Sequence, residues 1–303
     1  MRLDVRKITG APVTWLELAG HDSAALTDAW RRVHYACQAV VEVGRAFAEP
    51  KSDDSHASLC WFDGAQMIDG FFAGDEVGTS ARVRGSLRIW DMHLFVISGD
   101  GRAIGELELA GHTLEQATGW IVDSTLNILD EPIRHATKPA PDLPGHAVGN
   151  GDAFAAPDQF PQAELIRLYS NANSILSAVA RQFTVAEPVR TWPHDLDIMT
   201  RVVLERGDSG EPTKTVGLGL TPPDEVSAHG YWYVRPWSND GEYGAGDWSA
   251  LRNGRWHDVA GSAVGVLDLV DLHGVEDVGE QRHRVGAFLG EAFDVCAERL
   301  SNG

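Results

Sequence analysis

Apolar residues in this chain fall into two long stripes of helical period. Leu26, Trp30, Val33, Cys37, Val40, Gly44 and Phe47 recur at spacings of four and three, along one face of a helix predicted over 22–47. Leu165, Leu168, Ala172, Ile175 and Val179 draw a second stripe, backed by Ile166, Tyr169, Leu176 and Phe183, and predict a helix over 161–183. Shorter stripes predict helices over 113–129 and 278–300. The first of these opens with Thr113-x-x-Gln116, the spacing at which two side chains cap each other's backbone N–H. The last carries Val285, Phe288, Leu289, Ala292, Cys296 and Leu300 on one side.

Between the helices the period drops towards two. The segments 86–98 and 102–110 read as strands around Gly99-Asp100-Gly101, whose Asp-Gly step suits a hairpin. Further on, 196–205 and 213–221 flank a turn at 207–210, and 231–237 and 262–270 supply two more strands.

The two halves also resemble each other. Aligned without gaps, "AWRRVHYACQAVVEVGRAF" and "LIRLYSNANSILSAVARQF" share five of nineteen positions: Arg31/Arg167, Ala36/Ala172, Val43/Val179, Arg45/Arg181 and Phe47/Phe183. A two-residue insertion then aligns Glu49-Pro50 with Glu187-Pro188 and His56 with His194. A helix followed by the same punctuation points to an internal duplication. The predicted fold is α+β, with two similar helix–antiparallel-strands–helix units over 1–130 and 161–303. Between them, 131–160 carries Pro132, Pro139, Pro141, Pro144 and Pro157 without apolar periodicity, which predicts an extended connection. A small sheet with one wet face is marginal alone, so the units are expected to pack together.

Charge narrows the partners. The 44 acidic and 25 basic residues leave a formal net charge of -19, which argues against nucleic acid and anionic membranes. The first ten residues hold no apolar segment of signal-peptide length, and no apolar run reaches the roughly 18 residues of a membrane span. Cys37, Cys60 and Cys296 lie far apart among apolar neighbours, as reduced core thiols do. The expected location is the cytoplasm. Phosphate-loop, His-Glu-x-x-His, Gly-x-Ser-x-Gly and Cys-x-x-Cys motifs do not occur.

Candidate chemistry gathers in the second half. If "TWPHDLDIM" opens a strand, Trp192, His194, Leu196 and Ile198 point one way and Asp195, Asp197 and Met199 the other. Carboxylates about 7 Å apart on one face can hold a hard cation or divide acid and base roles. The plain reading, favoured on an acidic protein, is two solvated acids on the wet face of a sheet. "GLGLTPPDE" places Gly217 and Gly219 two apart, which lets another group approach closely, with Asp224 in the turn beyond. "YWYVRPW" lines up Tyr231, Tyr233, Arg235 and Trp237, which would suit a pocket or an aromatic core with polar tips. The segment 237–256 is long enough to be a lid over such a place. Trp192 and Trp237 are expected to be buried stability residues, and removal of Asp197 to be neutral or stabilising.

These same residues resemble an uncharacterised bacterial family of unknown function. Its pattern is Trp-Pro-His-His-Phe-Asp, then Gly-x-Gly-x-Ser-Pro-Gly-Asp, then Pro-Tyr-x-Tyr-Val-x-Pro-Trp. Here those positions are Trp192 to Asp197; Gly217, Gly219, Thr221 to Asp224; and Gly230, Tyr231, Tyr233, Val234, Pro236 and Trp237. The second His of the pattern is Asp195 and its Pro-Gly is Pro222-Pro223. The resemblance covers part of the second half only, and implies a fold and a region of interest but no reaction.

The expected function is binding of a small molecule by His194, Asp195, Asp197, Asp224, Tyr231, Tyr233, Arg235 and Trp237. A divalent cation on Asp195, Asp197 and Asp224 is one version, and metal-assisted hydrolysis with His194 as base would be its catalytic form. The rival reading is a structural or interaction module whose Trp-rich motifs are core, with a homo-oligomer among its forms.

Overall fold

Among the described residues, five strands follow the first long helix and six follow the second, each set closed by another helix. The computed structural model describes residues 1–10, 13–20, 23–63, 69–73, 83–129, 143–241, 243–244, 246 and 248–302. In chain order the elements are α1 (Val5–Thr9), α2 (Ser23–Phe47), β1 (Leu59–Asp63), β2 (Asp69–Ala73), β3 (Val83–Arg88), β4 (His93–Ser98), β5 (Ala103–Glu108) and α3 (Leu114–Leu129). There follow α4 (Gln159–Ala180), β6 (Arg190–Thr191), β7 (Ile198–Arg206), β8 (Pro212–Thr221), β9 (Tyr231–Ser238), β10 (Arg255–Val259), β11 (Ser262–Asp268) and α5 (Val278–Asn302). The fold is α+β with antiparallel strands.

The chain divides into two compact units that interleave along the sequence. One comprises Met1–Gly20, Arg167–Val189 and Asp197–Gly303; the other comprises His21–Ile166 and Arg190–Leu196. Residues 1–20, expected within the first unit over 1–130, thus belong with Arg167–Val189 and Asp197–Gly303.

In the unit built on His21–Ile166 the strand order is β6-β1-β2-β3-β4-β5, and α2 and α3 cover one face. Gly85 lets α2 and α3 come close, since a Cβ there would meet Val43 Cγ2 at 2.9 Å and Ile121 Cδ1 at 3.1 Å. The α3 cap is reciprocal, as the spacing predicts: Thr113 N donates to Gln116 Oε1 (2.9 Å) and Gln116 N to Thr113 Oγ1 (3.2 Å). The Gly99-Asp100-Gly101 turn also forms, with Gly101 at φ 84° and its N–H donating to Ser98 O (2.8 Å). Of the predicted connection, 131–142 lies outside the described residues. The remainder is pinned rather than freely extended, because Phe154 is buried and bridges to Ala110, and the Tyr35 hydroxyl donates to Pro144 O (3.0 Å).

In the other unit the order is β7-β8-β9-β11-β10. The helix α5 packs on the face carrying Trp232, Val234 and Gly265, where a Cβ on Gly265 would touch Ala292 Cβ at 3.4 Å. From Trp232 onwards burial alternates along β9, with Trp232, Val234, Pro236 and Ser238 inside. The amino-terminal segment docks here too. The buried Gln281 side chain accepts from Trp15 Nε1 (3.3 Å) and Leu18 N (3.0 Å), and donates to Leu18 O (3.0 Å) and Val275 O (2.8 Å). Trp15 stacks on Trp232 with ring centroids 6.1 Å apart. No described helix is long and apolar enough to cross a membrane.

Candidate functional site

The face of β9 turned away from α5 carries Tyr231, Tyr233, Arg235 and Trp237, the alternation predicted from "YWYVRPW". Register sets their surroundings. Tyr233 lies opposite Gly219 of β8, and a Cβ on that glycine would come within 2.7 Å of Tyr233 Cε1 and Cζ. The absent side chain is therefore filled by the tyrosine ring, which lies across β8. Its hydroxyl reaches Asp197, at the entrance to β7, and donates to Oδ2 (2.5 Å). At Gly217 a Cβ would meet only Met199 Cε (3.3 Å) and Arg235 O (3.9 Å), so the Met199 thioether comes over that glycine. Gly217 and Gly219 do admit close approach, by Met199 and Tyr233.

A second tyrosine–aspartate pair stands one step along the strand. The Tyr231 hydroxyl donates to Asp224 Oδ2 (2.7 Å), while Asp224 Oδ1 accepts from Val226 N (2.7 Å). Asp224 thus both shapes the turn after β8 and fixes a β9 side chain. Tyr231 is buried with Val264 and Val266 of β11 and is flanked by Val226 and Tyr233.

Three arginines share this face. Arg201 on β7 makes a two-pronged pair with Glu187 (Nε–Oε2 and Nη2–Oε1, both 2.9 Å). Arg255 on β10 pairs with Asp268 on β11. Asp268 faces Tyr231 in register, so it and Arg255 extend the polar row. The motifs gave no sign of these two, because β10 lacks a strong alternating pattern. Arg235 is exposed and has no carboxylate partner among the described residues. Trp237 is 48% exposed. The expectation of a buried Trp237 is corrected, because it falls on the β9 face away from α5.

After Thr191 the stretch "WPHDLD" is no strand. Chain pairing stops at Thr191, residues 193–195 form a turn, and β7 begins only at Ile198. Pro193 has no N–H to give a ladder. Its carbonyl is instead taken from beneath by two α2 side chains, His34 Nε2 (2.9 Å) and Gln38 Nε2 (2.8 Å). Leu196 N closes the turn on Trp192 O (2.7 Å), and Leu196 adopts φ 55°, which few non-glycine residues do. This reversal undoes the expected alternation of Asp195 and Asp197. His194 and Asp195 are exposed, 56% and 67% at the side chain, with His194 Nε2 3.3 Å from Asp195 Oδ2, whereas Asp197 is only 9% exposed. Trp192 is part-buried beside His194, ring centroids 6.3 Å apart. His34, missed in the sequence because it sits mid-helix, is held below its usual pKa by burial. The Pro193 carbonyl and Asp195 oppose that shift, and His194 adds to it.

The arrangement brings Asp197, Asp224, Tyr231, Tyr233, Arg235 and Trp237 onto one sheet and its entering loops. His194 and Asp195 belong to the other compact unit. Among the described residues no three His, Cys, Asp or Glu side chains form a group that could hold a metal ion, and Asp195, Asp197 and Asp224 are no exception. Of the predicted lid, 242, 245 and 247 lie outside the described residues. In the rest, Trp248 packs against Trp256 at 4.5 Å. No protein-family model, curated protein or solved structure matches the chain.

Proposed function

We propose that this is a cytoplasmic protein that binds a small molecule on the β9 face marked by Tyr233, Arg235 and Trp237. The observation that carries this reading is the Asp197–Tyr233 pair. An aromatic ring is laid over a glycine and its hydroxyl anchored by a mostly buried carboxylate, beside an arginine and an indole that remain exposed. Binding sites combine apolar surface with a few fixed polar groups in this way. The resemblance to the uncharacterised family falls on the same residues and supports the region without adding chemistry.

Metal-assisted hydrolysis draws less support, because the acids it needs are divided between tyrosine hydroxyls and an exposed turn. The structural reading draws some, since Trp232 of the same motif is fully buried against Trp15. It accounts for the inward residues of β9 and for Tyr231, buried with Val264 and Val266, and leaves the exposed Arg235 and Trp237 unexplained. An internal duplication is proposed alongside. Each half runs helix, antiparallel strands, helix, and they differ in order, β3-β4-β5 against β9-β11-β10.

A fragment screen followed through the tryptophan indole NMR signals tests the binding reading. The Trp237 signal is identified by its loss in Trp237→Phe. Compounds that shift this signal, and lose affinity in Tyr233→Ala, are expected. A screen whose binders all leave it unmoved would count against the site.

A further inference from the structure

We infer that the molecule bound on the β9 face is a small anion with a flat apolar body, its carboxylate or phosphate taken by Arg235. This rests on the binding reading above and adds the chemical class of the ligand. Of the three arginines on the face, Arg201 and Arg255 are neutralised by Glu187 and Asp268, and Arg235 has no such partner among the described residues. That is notable in a chain with 44 acidic and 25 basic residues, where a carboxylate is easily supplied. The other polar groups of the row are already engaged with one another, Tyr231 with Asp224 and Tyr233 with Asp197. What the row offers outward is a guanidinium between two aromatic rings, Tyr233 two residues before it and Trp237 two after.

Geometry sets the size. Residues two apart along a strand are spaced by about 7 Å, so one or two fused rings reach from the guanidinium to either aromatic side chain. A guanidinium grips carboxylate and phosphate oxygens in a planar two-pronged fashion and accepts stacking on its own faces. The neighbouring Met199 thioether adds a polarizable apolar contact.

The test is an NMR titration of the full chain with benzoate, 2-naphthoate and phenyl phosphate, beside the neutral benzamide and 2-naphthamide. It is run on wild type, Arg235→Gln and Trp237→Ala, with thermal unfolding confirming that the variants fold. Each acid is expected to bind wild type about tenfold or more tighter than its amide, a charge-assisted contact of ordinary strength. Arg235→Gln is expected to bring the acid to the level of the amide, and Trp237→Ala to weaken both. Benzoate against phenyl phosphate tells which anion is preferred, and benzoate against 2-naphthoate which ring size. Equal binding of acid and amide to wild type, or an acid affinity unmoved in Arg235→Gln, overturns the inference. If the amides bind and depend on Trp237, the binding reading survives that failure. If neither acids nor amides bind wild type, both fall.

Discussion

Asp197, at the entrance to β7, takes the Tyr233 hydroxyl through its Oδ2. As one of two alternating acids it reads as a solvated or metal-holding carboxylate. In the fold it is mostly buried and accepts the Tyr233 hydroxyl, because the left-handed Leu196 reverses the chain just before it. Asp197→Ala should therefore cost about 1–3 kcal/mol of stability, the range for a buried hydrogen bond to a charged group. Trp237→Ala should cost only roughly 1 kcal/mol, since half the indole is already in water. Chemical denaturation of both variants checks the order, which is the reverse of the one the sequence suggests. His34 gives a pH effect. Its folded-state pKa is lowered by burial, so between that value and the unfolded value near 6.5 the unfolded chain binds the extra proton. The stabilisation is complete above about pH 6.5 and falls as pH drops. His34→Gln should remove up to about 1.4 kcal/mol per pH unit from the slope of stability against pH between 7 and 5. An unchanged slope would show that His34 is not the group responsible.

Elements with strong local signals were legible: the long amphipathic helices, the reciprocal Thr113–Gln116 cap and the alternation of β9. The hairpin at Gly99 to Gly101 belongs with them, for its turn chemistry is contained in three residues. What the sequence withheld depends on partners far along the chain. Tyr233 finds Asp197 at a separation of 36 residues. Gln281 lies 263 residues from Leu18, and nothing local marks it as other than one more polar helix residue. Yet it satisfies three groups of the amino-terminal segment and the Val275 carbonyl just before α5. Gln281→Leu would leave the Trp15 indole N–H, the Leu18 N–H and two carbonyls without this partner at a buried place. A loss of about 3 kcal/mol or more is expected in equilibrium unfolding, since each orphaned group costs about 1–3 kcal/mol. A loss below 1 kcal/mol would mean that this segment is not docked in solution.

At the scale of the whole chain, the unit that holds the β9 face is discontinuous. Met1–Gly20 belongs to it, through Trp15 on Trp232, Leu3 N to Asp294 Oδ1 (3.0 Å) and Leu16 N to Asn171 Oδ1 (2.6 Å). The proline-rich stretch suggests a simple division of the chain into halves, because composition marks linkers and says nothing of which segments meet. A fragment of residues 161–303 should consequently be less stable than the same fragment fused to residues 1–20 by a flexible linker, by several degrees in thermal midpoint. Equal midpoints would argue for independent halves. Whether a small molecule binds on the β9 face can be read from crystallographic fragment screening of the full chain. Bound fragments are expected to gather over Tyr233, Arg235 and Trp237, with acids oriented towards the guanidinium. Fragments found repeatedly elsewhere, with this face bare at the same concentrations, would rule the site out.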